Sequence, residues 1–584
     1  MPASNSEKIK NFLSGKGKPL WTVLSVLPLL FAVLVALYYI WGPGEGYFHS
    51  DCTDNLIWAE VSIESGSVFD PEFRYAGMLP FSAAFWIVPL IRIFGYGMTA
   101  HNIGMSVFAL LFIASVVFFC RSAKMTWGWS SLAAFASFAA MSASDKLREI
   151  MYGHNIYYSI GPCLLLFTLG LAIRISDSLS AGKKGGIKQT VLLAVWTVLF
   201  AFICGGAATD GGQVIVIGTF PAVAGILADR FFSREKLASR KNIPAAAIVG
   251  LFVMGTLVGM MLLKVWKGDI ECGYAEAYSE WSKIDTWADN AKAFVRQYFT
   301  LIGVLPEGSL FSLKSVITLL RILGGVLMII VPPFMFVFYR KLSGPGVRAL
   351  LWGHTAVFSV VMVGFVCGKL SGVNWRLTPI LATGSVLCVL AARELCLAAK
   401  AKNAGAGEED KGTDEEKTGE KAGGAPAAGR IGALLLAFVM IFSLTVSFEI
   451  LKMPKDYGRD NYNHKLAAFL EEHGLEYGYA TFWYSQTITA LSDGKVKCCE
   501  ILARKQAGVY SDYYQSSRRW YRDIDSDRFF VLLSDGEYND ILSAASWQSW
   551  TGDILIEEYT EEDGLVPGFL IFVFSQNPLE YNPG

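Results

Sequence analysis

About eleven apolar stretches, each near the roughly 20 residues that a helix needs to cross a hydrocarbon core, dominate this sequence. They lie near residues 20–40, 102–120, 127–143, 156–175, 190–206, 212–229, 244–264, 313–339, 349–368, 376–398 and 431–450. A chain of 584 residues with 53% apolar content, 39 Phe and a mean hydropathy of +0.40 exceeds what one water-soluble core would use, which predicts an integral membrane protein. The first run, Pro19 to Ile40, is too long for a signal-peptide core and has no small-residue cleavage site before Gly42, so it reads as a retained span. A net charge of -1 and a pI of 6.6 provide no basic field for nucleic acid. The ten cysteines follow neither metal-ligand nor disulfide spacing.

Charge sets the expected orientation. Lys8, Lys10, Lys16 and Lys18 precede the first span and place the N-terminus in the cytoplasm by the positive-inside rule. The other cationic loops carry Arg121 and Lys124, then Arg174 with Lys183, Lys184 and Lys188, then Arg230 to Lys241, then Arg340, Lys341 and Arg348, and finally Arg393, Lys400 and Lys402. All of them share the inner side only if a further apolar stretch, 78–94, does not cross. It contains Pro80, Pro89 and Arg92, and is expected to lie on the outer surface as an interfacial helix.

The expected organisation is a cytoplasmic N-terminus over 1–19, a membrane module over 20–398, a disordered cytoplasmic linker over 399–430, a last span over 431–450 and an extracytoplasmic α/β domain over 451–584. Within the linker, "NAGAGEEDKGTDEEKTGEKAGGAPAAG" has nothing to bury. In the last domain, "LAAFLEEHGLE" reads as a helix, "YGYATFW" as a strand, "SQTITALSDG" as helix and turn, and "KVKCCEI", "RFFVLLSD" and "GFLIFVFS" as strands.

On this topology the outer face gathers acids and bases. Asp51 and Asp54 open the first outer loop; in a helical "CTDNLIWAEVSIESG" their i, i+3 spacing puts both carboxylates on one side. The second outer loop adds Asp145, Arg148, Glu149, His154 and Asn155, and the next contributes Asp210. Lys369 and Arg376 come from "CGKLSGVNWRLTPI". The longest loop, 265–312, carries a stripe of Trp287, Ala291, Phe294, Val295, Tyr298 and Ile302 that reads as a helix face. Each has a plainer reading: a helix cap for either aspartate, snorkelling for Lys369 and Arg376, a structural histidine for His154, interfacial anchoring for the stripe. "DIDSDR", with Asp523, Asp525 and Asp527, lacks the glycine and distal glutamate of a calcium loop and reads as a solvated turn.

The run "SDCTDNLIWAEVSIESG", followed by "PEFRYAGMLPF" and "LIRIFGYGMTAHNIGM", resembles the first outer loop of the GT-C glycosyltransferases that use lipid-linked sugars. Protein O-mannosyltransferases and lipid A aminoarabinose transferases are the nearest kinds. The resemblance covers roughly residues 20–230 and implies a GT-C-like fold, about eleven spans plus interfacial helices, and a polyprenyl-phosphate-linked sugar as donor. It puts Asp51 at the position of the catalytic acid and Gly66 at the end of the same helix. The sequence departs in having "GMLP" where that group has a basic residue or His before Pro-Pro, and Cys52 at the second acidic position, with Asp54 supplying the extra acid.

The chemistry fits such a transfer. A hydroxyl attacking a sugar on a polyprenyl phosphate needs a base for its proton and cations for the departing phosphate. Asp51 suits the base, with Asp54 or Asp145 and Glu149 orienting the acceptor; a second carboxylate nearby should raise the pKa of the first. His154, Asn155 and Asp210 join that acceptor side. Arg376 can grip phosphate bidentately, with Lys369 and Arg148 as further donor-phosphate cations. A single direct attack inverts the anomeric centre. Partners would be the lipid-linked donor, an envelope acceptor and membrane lipids. No metal ligands and no certain cofactor are assigned, and a divalent metal stays open, since members of the resembled group differ on it. Two other classes compete: a transporter or flippase with charges lining a path, and a receptor or scaffold merely anchored by its spans. No repeated halves of the kind common in transporters occur here.

Overall fold

The structure, a computed structural model, describes residues 18–181, 186–233, 242–270, 280–304, 312–409, 424–455, 460–505, 507–522 and 524–581. Among these, ten helices are long and apolar enough to cross a membrane, from Val23–Ile40 to Ala427–Leu451, as befits a multi-pass membrane protein. The expected span at 127–143 differs. It forms a helix of only 14 residues, Trp127–Ala140, about 21 Å long at 1.5 Å per residue. Every residue from Ala133 to Ala140 is buried, and this alanine- and serine-rich helix packs closely among the helices Lys18–Ile40, Met98–Ser122, Thr378–Glu409 and Gly424–Leu451. Its length was overestimated because buried apolar sequence continues into the turn at Met141.

The 78–94 stretch folds as a π turn, Pro80–Ala84, continuing into the helix Phe85–Phe94. It is too short for a span, and its Phe85, Trp86, Ile93 and Phe94 are exposed, as an interfacial helix requires. The linker expected to be disordered lies partly outside the described residues, at 410–423. On either side the helices Thr378–Glu409 and Gly424–Leu451 run into it.

The basic loops gather at one end of the bundle. Lys124 pairs with Asp177 at 3.1 Å, Arg348 with Asp229 at 2.6 Å, and Arg393 with Glu394 and Ser343. Gly346 sits against Ala123 and Ile173, tying these turns together. The polar outer-loop residues collect at the opposite end, where the C-terminal domain docks.

That domain is a six-stranded sheet of order β3-β2-β1-β4-β6-β5. Its strands are β1 (Tyr477–Ala480), β2 (Lys497–Arg504), β3 (Gly508–Ser511), β4 (Phe529–Ser534), β5 (Leu555–Tyr559) and β6 (Phe569–Phe574). Central β1 is parallel to both β2 and β4, and the outer pairings are antiparallel. β1 and β4 are buried on both faces apart from Ser534, as central strands of an α/β sheet should be. Trp547 packs edge-on against Phe572 beneath the sheet.

Docking is polar and specific. Arg519 pairs with buried Asp70 at 2.9 Å, Trp520 Nε1 donates to Glu64 at 2.7 Å, and Asn461 Nδ2 donates to the Gly46 carbonyl at 2.7 Å. Main-chain bridges join Phe73 to Ser517 and Arg74 to Tyr514, so the 513–518 loop is laced onto the first outer loop.

Candidate active site

The first outer loop begins with a short 3-10 turn, Ser50–Thr53, and turns α-helical over Asp54–Ser65. An aspartate in the first turn suits the positive end of the helix. The helix stops at Gly66, whose φ of +68° is a left-handed cap open to glycine. Asp51 and Asp54 therefore stand at the head of this helix, and both line one polar pocket of about 160 Å³.

Lys369 and Arg376 line the same pocket, as do Lys146, Glu149 and His154. Arg376 lies just before the helix Thr378–Glu409 and is only 8% exposed. Its Nε donates to Ser371 Oγ at 2.6 Å, and Nη1 bonds the Tyr158 hydroxyl. Lys146 lies 4.9 Å over the Trp375 ring, joining two loops far apart in sequence. Gly77 lets the Tyr157 hydroxyl approach: a Cβ there would lie 2.6 Å from it.

Asp54 is held on both oxygens, by His154 Nε2 at 2.9 Å and Gln515 Nε2 at 2.7 Å. Burial raises its pKa, as does Asp51, while His154 and Gln515 lower it. Asp51 has no hydrogen-bond or ion-pair partner among the described residues. Burial pushes Glu149 up, but His49 and Lys146 outweigh it and hold the carboxyl at about 2. Cys52 and Glu149 push the His49 imidazole up to about 11.

His49, Asp51 and Glu149 each bring one atom able to ligate a metal within 4.8 Å of the others. As arranged, the trio does not fit a metal: Lys146 sits on both Glu149 oxygens at 2.7 and 2.6 Å, and Cys52 and Glu149 push the His49 imidazole toward its cationic form.

Four sequence-derived candidates face elsewhere. Arg148 is buried below, bonded to Asp145 and to the Ser142 carbonyl and lying over Tyr39, so it is kept from the pocket by its own i, i-3 partner. Asp145 is itself largely exposed and is tied to that buried arginine, not to the pocket. Asn155 accepts from Ser159 and lines a separate apolar cavity. Asp210 accepts from Phe81 N, Ser82 N and Ser82 Oγ, capping the interfacial helix instead of reaching an acceptor. The helix Trp287–Leu301 buries Phe294, Tyr298 and Leu301 against the bundle, while Ala291 and Val295 face out. Asp523 lies outside the described residues, and "DIDSDR" makes no part of the site.

His49, Lys146, Tyr158, Trp375 and Gln515 were not among the candidates. His49 and Lys146 are sequence neighbours of residues that were; Gln515 has no local signal.

The apolar cavity, about 350 Å³, runs between the interfacial helix and the spans Met98–Ser122, Tyr157–Ala181 and Gly186–Thr209. Phe81, Trp86, Phe108, Phe167, Trp196 and Phe202 line it. Its wall reaches Asn155, and the adjoining residues His154 and Ile156 line the polar pocket.

A bundle of spans carrying a charged pocket at one end, roofed by an α/β domain and adjoined by an apolar cavity, defines the class: a multi-pass membrane protein with a polar pocket where the spans meet that domain. No protein-family model matches the chain, and no curated protein matches it in sequence. Among solved structures it is similar to ArnT from Cupriavidus metallidurans bound to undecaprenyl phosphate, with a TM-score of 0.52, 13% identity, and coverage of 93% of this chain and 97% of that one. Weaker similarities are to the Archaeoglobus fulgidus oligosaccharyltransferase in its apo form (TM-score 0.41, 12% identity, covering 92% and 74%) and to the archaeal oligosaccharyltransferase AglB from the same organism with an inhibitory peptide and a dolichol-phosphate (0.42, 12%, covering 88% and 69%). The chain shares with ArnT a GT-C-like fold.

Proposed function

We propose that this protein is an inverting glycosyltransferase that moves a sugar from a polyprenyl-phosphate-linked donor to an envelope acceptor on the extracytoplasmic face. The observation that carries this reading is a single pocket lined by Asp51, Asp54, Lys369 and Arg376, set beside a long apolar cavity. A lipid phosphate fits that pair: the isoprenoid chain in the aromatic cavity, the phosphate against two cations. The neighbour bound to undecaprenyl phosphate supports the same donor class.

Asp51 is the base. It faces the pocket with its carboxylate uncommitted, whereas Asp54 is engaged at both oxygens. The acceptor hydroxyl gives its proton to Asp51 as its oxygen attacks the anomeric carbon, and the bond to the phosphate oxygen breaks on the opposite face. Arg376, fixed by Ser371 and Tyr158, and Lys369 receive the charge that develops on the leaving polyprenyl phosphate. Asp54 and His154 hold the acceptor side, and no step needs a metal ion bound to His49, Asp51 and Glu149.

The clustering of the basic loops at the opposite end supports an extracytoplasmic site and C-terminal domain. The test is incubation of the purified protein in lipid with a panel of labelled polyprenyl-phosphate sugars and an envelope extract. Release of free polyprenyl phosphate with label in the extract is expected; intact donor across the whole panel would overturn the proposal.

A further inference from the structure

We infer that Gln515, supplied by the C-terminal domain, is a positioning residue of the site: it fixes the orientation and ionisation of Asp54, so that the soluble domain completes the pocket as well as roofing it. This rests on the proposed transfer and assigns the α/β domain a part in it.

The geometry is closed from every side. Gln515 is 1% exposed and has a φ of +53°, an unusual backbone for a residue with a side chain. The loop bears it because Gln515 N donates to the Arg74 carbonyl at 2.9 Å, with Arg74 N and Arg518 N bonded to Ser516 and Glu72 on either side. Its Oε1 accepts from Trp58 Nε1 at 3.1 Å and from Ala76 N at 3.2 Å. Both of those groups can only donate, so the amide has one allowed orientation and its NH₂ must face Asp54 Oδ1, at 2.7 Å. A donor fixed at Oδ1 keeps a proton off that oxygen and leaves Oδ2 to His154. Trp58 and Ala76 belong to the first outer loop and Gln515 to a domain beginning after the last span, so the contact forms only when the two halves dock.

The charged groups facing Asp54 are His154 and Asp51, then Lys146 and Glu149 from the second outer loop, and Lys369 and Arg376 lining the same pocket. None of these is altered by changing Gln515. Among these titratable groups, loss of the amide acts on Asp54: its folded pKa rises further, and the ionised form that orients the acceptor is reached only at higher pH, while the acceptor lost to Trp58 Nε1 and Ala76 N lowers stability without a pH dependence of its own.

The test compares wild type with Gln515→Leu, Gln515→Glu and Arg519→Ala in lipid. Arg519→Ala removes one docking contact, at Asp70, and leaves the Gln515 contacts and the main-chain bridges of its loop in place. Transfer by Gln515→Leu is expected to fall by roughly tenfold or more at neutral pH, the range for a hydrogen bond to a charged group, and to recover as pH rises. Gln515→Glu adds a second carboxylate and should move the acid limb further the same way, while Arg519→Ala leaves the limb in place. A Gln515→Leu profile that superimposes on wild type after scaling, or an equal shift in Arg519→Ala, would overturn the inference.

A readout without activity separates this from the proposed function. Because the folded pKa of Asp54 lies above its unfolded value, the acid side is the stabilised one, and raising that pKa further makes the variant worse as pH climbs. The difference in melting temperature between wild type and Gln515→Leu should widen as pH rises through the raised folded pKa of Asp54, and level off once the carboxyl is ionised in both proteins. If wild type transfers no sugar, the proposed function fails while this widening still decides the role of Gln515. A constant difference means a packing role only.

Discussion

His154 Nε2 stands 2.9 Å from Asp54 Oδ2, across 100 residues of sequence, and joins the first outer loop to the second at the mouth of the polar pocket. Without that imidazole Asp54 would meet burial and the Asp51 charge with one fewer counterweight. In His154→Ala the Asp54 pKa rises, so the acid limb of kcat/KM against pH should move toward alkaline pH. An unmoved limb would remove the dyad from the transfer.

Arg376 is gripped through Nε and Nη1 and presents what remains of a planar fork to the pocket. Arg376→Lys keeps the charge but cannot hold phosphate through two parallel bonds. Affinity for undecaprenyl phosphate should fall by roughly tenfold or more, measured by tryptophan quenching in detergent. Lys369→Ala should weaken binding less. Equal affinity in wild type and Arg376→Lys would place the phosphate elsewhere.

The apolar cavity can be filled from within. Val107 lines it on the span Met98–Ser122, well away from Asp51 in sequence. Val107→Trp should abolish transfer from long-chain donors while sparing donors with a short isoprenoid chain. A uniform loss over chain length, with the melting temperature unchanged, would show that the chain lies outside this cavity.

Asp210 is pushed up to about 7 by burial, against the hydrogen bonds from Ser82 and Phe81 that lower it. Its unfolded value is about 3.9, so wild type should lose stability as pH rises from about 4 to about 7 and level off above that. Asp210→Asn cannot titrate there, and its melting temperature should lack that step. Asp210→Ala also loses the acceptor for three donors at the start of the interfacial helix and should cost about 1–3 kcal/mol. A flat wild-type profile over that range would contradict the buried titration.

Much of this was legible from patterns with a local cause. Apolar length revealed the spans, and charge asymmetry grouped the loops. The pair Asp51 and Asp54 was readable because a three-residue spacing keeps its meaning once a helix forms. Direction was not readable. Arg148 and Asp210 lie between spans, yet a carboxylate three residues back turns one and the amides of Phe81 and Ser82 capture the other. Strand β5 escaped notice because "LIEEY" is a half-exposed edge strand with two glutamates. Gln515 was invisible for a different reason: its meaning comes from Asp54, Trp58 and Ala76, more than 400 positions away.

Transfer assayed side by side for wild type and Asp51→Asn, on whichever polyprenyl-phosphate sugar the wild type uses, probes the account most directly. Asparagine keeps the size and loses the basicity, so turnover should drop by roughly 10² to 10⁴ with donor affinity nearly unchanged. Equal turnover in the two proteins would contradict the account, since the acceptor proton would then be leaving by another route.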